Sequence, residues 1–252
     1  MRVEAQTLKE FLDTVTLKQK ILSAVLNFAP EGMIVRLKSS DDIGATFGIL
    51  HNSAFKDYKP IEKQIGIKDT RMISSMLSSF KGVVEIEAKD NLLTIYNERT
   101  HANLTTAAVE FIDNHLAEEI SLVSKYDGGV EVSTEVLSNG VSNMGTVNSN
   151  YLLLEVKDKK LTISTGGEGF DSMKEIVGCE YRDCSGKYGE VLVECISVLG
   201  KKVNLSFGDT DNFPILLKTK TEDYMVKMIV SPMKQGEEDK KEEVKEEPEE
   251  VE

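Results

Sequence analysis

CEYRDCSGKYGEVLVECISVLGKKVNLSFGDTDNFPILLKTKTEDYMVKMIV (179–230) holds a strand-like run, a helical stripe and three further strand-like runs, in that order. From Ser185 onward, Tyr188, Val191, Leu192, Cys195 and Leu199 recur at the spacing of one helix face, and Gly200 closes the stretch. CEYRD (179–183) precedes it as a strand. VNLSF (203–207), an Asp- and Gly-rich turn at 208–211, FPILLKT (213–219) and DYMVKMIV (223–230) follow it. β-branched content, alternation and turn-rich links predict hairpins, so the segment reads as one β-α-β-β-β unit.

The same order appears three more times upstream. Leu8, Phe11, Leu12 and Val15 form a stripe in a predicted helix over 7–20, between RVEAQ (2–6) and the runs SAVLNF, MIVRLK and ATFGIL. Asp69 is placed to cap a second helix over 69–81, with Met72, Ile73, Met76, Leu77 and Phe80 on one face and Gly82 as its stop. KQIGI (63–67) leads into it, and VVEIEA, LLTIYN and ANLTT follow. A third helix is expected over 128–144 with Val132, Val136, Leu137, Val141 and Met144. It lies between EISLVSK (119–125) and the runs YLLLEV, KLTIST and FDSMKEIV. The starts near 7, 69, 128 and 185 give a period of about sixty residues. Hairpin-length links cannot make parallel crossovers, and each helix must lay its apolar stripe on a sheet. The expected fold class is therefore α+β: two similar domains of β-α-β-β-β repeats with antiparallel sheets. The expected boundaries are 1–106, a connector at 107–119, a second domain at 120–235 and a tail at 236–252.

The 252 residues carry 43 acids against 30 bases, a net charge of −13, with 40% hydrophobic content. That is apolar enough for a core. It argues against a chain that is basic throughout, as a coat for nucleic acid would be, and against membrane attachment by charge. No apolar run approaches membrane-spanning length, and the first residues lack a secretory pattern, so a cytosolic or nuclear location is expected. Cys179, Cys184 and Cys195 should then be reduced, and their spacing fits neither a disulfide framework nor a zinc site. The tail holds ten acids and three lysines, −7, with Val244 and Val251 as its apolar residues, and is expected to stay disordered.

Enzymatic readings find little support. His51, His101 and His115 are isolated and read as surface or turn residues. The glycine-rich stretch 166–169 lies between two strands without a phosphate-loop lysine, and reads as a mobile hairpin. Cys195 sits on an apolar stripe and reads as core. No catalytic residue, metal or cofactor is expected.

Taken together, LKSSDDIGATFGIL (37–50), IGIKDTRMISSML (65–77), VNLSFGDTDNFPILLKT (203–219) and DYMVKMIVSPM (223–233) resemble the sliding clamps of archaea and eukaryotes, the proliferating cell nuclear antigen (PCNA) family. The resemblance covers residues 1 to about 233. It implies a homotrimeric ring without an active site, with helices inside around duplex DNA and sheets outside. A loader ATPase would open the ring. DNA polymerase and other partners would dock short peptides of a glutamine, a hydrophobic residue and two aromatics.

Site residues follow from the resemblance segment by segment. Lys18, Lys20, Arg71, Lys81, Lys187, Lys201 and Lys202 would line the hole and touch phosphates without reading bases. Bases exceed acids by only one over the four predicted helices, so this lining would be weakly basic. Ser40, Phe47, Val109, Phe111, Ile112, Pro214, Ile229, Val230, Ser231 and Pro232 would form the partner-peptide pocket. The subunit interface would join Arg99–Thr106 to a strand at Phe170–Gly178 containing Met173 and Ile176. A clamp-fold adaptor that binds partners without stably encircling DNA is the alternative.

Overall fold

Each expected unit closes as a strand, a helix and a three-stranded meander. The computed structural model describes residues 1–39, 41, 44–89, 91–118, 126, 129–167, 170–208 and 213–233, with side chains for all of these but 167–175. The first unit is β1 (Arg2–Glu4), α1 (Ala5–Val15), β2 (Ala24–Ala29), β3 (Gly32–Lys38) and β4 (Gly44–His51). A short β5 (Phe55–Lys56) leads to β6 (Ile65–Ile67), α2 (Thr70–Ser78), β7 (Val83–Lys89), β8 (Leu92–Tyr96) and β9 (His101–Thr105). The third unit is β10 (Val130–Ser133), α3 (Thr134–Thr146), β11 (Leu152–Lys157), β12 (Lys160–Gly167) and β13 (Phe170–Gly178). The fourth is β14 (Cys184–Tyr188), α4 (Glu190–Ile196), β15 (Lys202–Ser206), β16 (Ile215–Lys220) and β17 (Tyr224–Val230).

Three helix boundaries differ from expectation. The fourth helix begins at Glu190, because Cys184, Gly186 and Tyr188 are buried at period two and pair with β11. CEYRD is accordingly not the leading strand. The third begins at Thr134, because Val130 and Val132 face the core from a strand paired with β15. EISLVSK lies outside the described residues. The first stops at Val15, where Leu17, Lys18 and Gln19 take positive φ of 52°, 50° and 67°. Three successive left-handed residues without glycine are unfavourable. The turn is held by the Lys18 N–H donating to the Asp13 carbonyl at 2.6 Å and Ile21 N–H to Thr16 carbonyl at 3.0 Å.

The units are interlocked. The first strand of each pairs with the second strand of its neighbour: β1 with β7, β6 with β2, β10 with β15 and β14 with β11. This gives a five-stranded sheet β5-β1-β7-β8-β9, a four-stranded sheet β13-β12-β11-β14, and an eight-stranded sheet β10-β15-β16-β17-β4-β3-β2-β6. The large sheet fuses the two halves through β4 and β17, with Tyr224 opposite Leu50 and Val230 opposite Gly44.

The helices cover one face of these sheets. α1 packs on α2 and α3 on α4, and their apolar stripes share one core with Met33, Val35, Leu50, Leu154, Ile163 and Val226. Gly48 shows how close the layers come: a Cβ there would lie 2.8 Å from Phe11 and 3.0 Å from Val15. A side chain at 48 would push α1 off the sheet.

Candidate functional site

On the opposite face of the eight-stranded sheet, the alternate pleat gathers a second apolar cluster. Leu216 is opposite Ile229, Ile229 is opposite Ala45, and Phe47 stands two residues further along β4. These four are only 5–6% exposed yet belong to a cluster separate from the main core. Leu116 and Tyr126 cover it. The Tyr126 hydroxyl donates to the Pro214 carbonyl. Leu116 is fixed because the connector pairs with the end of β3 that β2 leaves unpaired. Lys38 N–H donates to Asn114 carbonyl at 2.9 Å and Leu116 N–H to Arg36 carbonyl at 3.1 Å. Next to Phe47, a recess of about 190 Å³ is lined by Ile34, Arg36, Ile49 and Met225.

Of the expected pocket residues, the structure brings together Phe47 and Ile229, with Pro214 supplying the carbonyl. Val230 points the other way into the core. Ile112 is buried near Gly66, where the connector begins with Ala107 N–H donating to Gly66 carbonyl at 2.8 Å. A Cβ at Gly66 would meet the Ala107 carbonyl oxygen at 2.5 Å, so this junction needs glycine. Half-buried Val109 and Phe111, 70% exposed beneath Lys68, belong to that end too. Ser231 and Pro232 are half-buried just past β17. Ser40 lies outside the described residues. Ala45, Leu216, Leu116 and Tyr126 were not anticipated. The alternation of β4, β16 and β17 held the signal, since each has apolar residues on both pleats.

The connector also holds half-buried His115, directly after a turn at 113–114; its Nδ1 is buried and has no hydrogen-bond partner among the described residues. Burial pushes its pKa below the usual histidine value, helped by the nearby Arg36 charge against a backbone hydrogen bond that opposes it.

The helix layer is nearly self-neutralised. Lys9 donates to Asp13, and Lys20 Nζ lies 3.0 Å from Glu194. Arg71 forks onto Asp69 at 2.8 and 2.7 Å, holding that carboxyl below its ordinary pKa. Lys18 Nζ donates to the Ser197 carbonyl, tying the left-handed turn to the end of α4. Burial works to raise the Asp13 pKa, but hydrogen bonds from Lys9, Gln19 and Ser74 overcome it and hold the carboxyl low. The exposed positions of α3 are Glu135, Ser138, Asn139, Ser142, Gly145 and Thr146, with no base. Lys81 and Lys201 are exposed and make no ion pair among the described residues.

Two expected phosphate ligands are elsewhere. Lys187 is on β14 with its ammonium 4.6 Å from the Tyr151 ring. Lys202 is on the outer pleat, 2.6 Å from Glu131, because Val203 and Leu205 take the core side of β15.

Among the described residues β9 pairs with β8 alone and β13 with β12 alone, so both are sheet edges. Ile176 is 62% exposed on β13, and Gly178 is exposed at its end. Arg99 is exposed in the turn before β9, and Thr106 N–H donates to Asn91 carbonyl at 2.8 Å. The side chains of Phe170 and Met173 lie outside the described residues.

Interlocked β-α-β-β-β units, with helices on one face and a fused sheet on the other, make the DNA-clamp fold. Solved structures of PCNA match the chain, and its fold is that of the PCNA clamps. No family model matches the sequence, and neither does any curated protein. A. fulgidus PCNA, solved with the C-terminal region of FEN-1 bound, matches at a TM-score of 0.78 and 16% identity, over 94% of this chain and 98% of that one. PCNA from Entamoeba histolytica matches at 0.75 and 14%, over 92% and 98%. The PCNA2–PCNA3 complex from Sulfolobus tokodaii matches at 0.70 and 16%, over 92% and 99%.

Proposed function

We propose that this protein is a DNA sliding clamp: a ring around duplex DNA that tethers polymerase and other partners without catalysing a reaction, in the nucleoid or nucleus. The observation that carries this is the fate of the fourth strand in each unit. β4 and β17 pair with each other inside the chain, while their counterparts β9 and β13 end as edges. Repeating the β4–β17 pairing between β9 of one protomer and β13 of the next gives a head-to-tail interface, which closes into a ring. The likeness to PCNA favours three protomers. The helix layer then faces the hole, with Lys81 and Lys201 as its freest cations. The Phe47–Ile229 cluster underlies the outer face, where the adjoining recess lined by Phe47, Ile34, Ile49 and Met225 can take the rings of a glutamine–hydrophobic–diaromatic peptide.

Light scattering should give a trimer mass, and Ile176→Asp should give monomers. Polymerase run length on primed circular template, with loader present, should rise in the presence of wild type and fall in its absence. A monomeric wild type that leaves run length unchanged overturns the reading. The pairing of Lys9, Lys20 and Arg71 with carboxylates favours a second reading, a clamp-fold adaptor that holds partners without stably encircling DNA. A trimer that binds peptide but leaves run length unchanged would select it.

A further inference from the structure

Beside the apolar cluster runs a row of opposite character. The cross-strand register places Glu131, Asn204, Lys218, Lys227, Phe47 and Arg36 side by side on the outer face of the large sheet. Lys218 is directly opposite Lys227, a like-charge pairing that is unfavourable across a ladder. Lys220 follows two residues along the same pleat as Lys218. Both are exposed, and neither makes an ion pair among the described residues. Lys227 has a partner of its own, and Lys202 is held by Glu131. A recess of about 660 Å³ is lined by these lysines and adjoins the apolar cluster, since Leu216 and Tyr126 belong to the lining of one and the packing of the other.

We infer that the docking face selects peptides in which a run of carboxylates flanks the apolar anchor. The apolar row takes the hydrophobic and aromatic side chains. The recess leads the flanking chain past Lys218 and Lys220, where acidic residues meet two solvent-facing ammonium groups. Charge complementarity commits the occupant to an acidic segment of a partner. This inference rests on the outward cluster being a peptide-docking site.

The test uses the full chain and three peptides that share one glutamine–hydrophobic–diaromatic anchor. They carry four glutamates, four serines or four lysines, made with the flank on either side. At about 0.1 M salt the glutamate peptide should bind roughly fivefold tighter than the serine peptide in one of the two orders, and the lysine peptide weaker than both. The preference should disappear near 0.5 M salt, where charges on the surface are screened. The double variant Lys218→Ala with Lys220→Ala should remove it while leaving the serine peptide unchanged. The salt series on wild type needs no variant, so it stands even if the double variant does not fold. Equal affinity for glutamate and serine peptides in both orders overturns the inference and leaves the docking site intact. Binding by none of the peptides overturns the docking site itself. A glutamate preference that emerges only after deletion of 236–252 also overturns it, because the occupant is then this chain's own acidic tail.

Discussion

The two broad faces of this molecule arrange positive charge differently. On the helix face, Lys9, Lys20 and Arg71 each have a carboxylate within ion-pair distance, Lys81 and Lys201 stand in solvent at the helix ends, and α3 presents Glu135 among hydroxyls and amides. On the outer sheet face, Lys218 and Lys220 stand in solvent beside an apolar cluster. A face that slides along phosphates benefits from weak contacts, because every neutralised phosphate adds to affinity and to its salt dependence. A docking face benefits from concentrated ones. The difference shows that total charge, −13 here, says little about which surface meets which partner.

The comparison breaks most readily at Phe47. Phe47→Ala should weaken an anchor peptide about thirtyfold by titration and leave DNA binding as in wild type. A loss on DNA of similar size would mean the two faces are not independent. Next is Asp13, which ties α1 to α2 through the Ser74 hydroxyl at 2.8 Å. Asp13→Ala should cost about 2 kcal/mol, read as a fall in melting temperature on the order of 5 °C. Its folded pKa lies below the ordinary carboxylate value. The stability that it adds is therefore present above about pH 4 and lost as pH falls through the folded pKa, so the variant should converge on wild type in acid. Glu194→Gln should release Lys20 and tighten DNA binding about threefold at low salt, an effect that added salt removes. The smallest change belongs to Arg71→Ala. Asp69 already neutralises that guanidinium, so DNA affinity should move less than about twofold. A larger drop would show that Arg71 leaves Asp69 for a phosphate.

The unit order was legible in the sequence because each helix carries a stripe that cannot be a strand and each hairpin has its own turn. Helix starts failed at Val132 and Tyr188, where a short period-two run also satisfies a helical spacing. The exchange of first strands between units was not legible, since a hairpin link specifies only its immediate neighbour. In the candidate site, Phe47 and Ile229 could be read from their segments. Leu116 could not, because the connector's register is set by the Asn114–Lys38 and Ala107–Gly66 backbone bonds. Those same bonds carry Val109, Phe111 and Ile112 toward the β6 end.

The β4–β17 ladder has a consequence for how the chain is made. Leu50 must wait for Tyr224, and Gly44 for Val230, so the central sheet cannot close until nearly the whole body has been synthesised. Long-range pairing of this kind slows folding and leaves an open strand edge in the meantime. During translation that edge of β4, which carries Phe47, stays unpaired until β17 arrives.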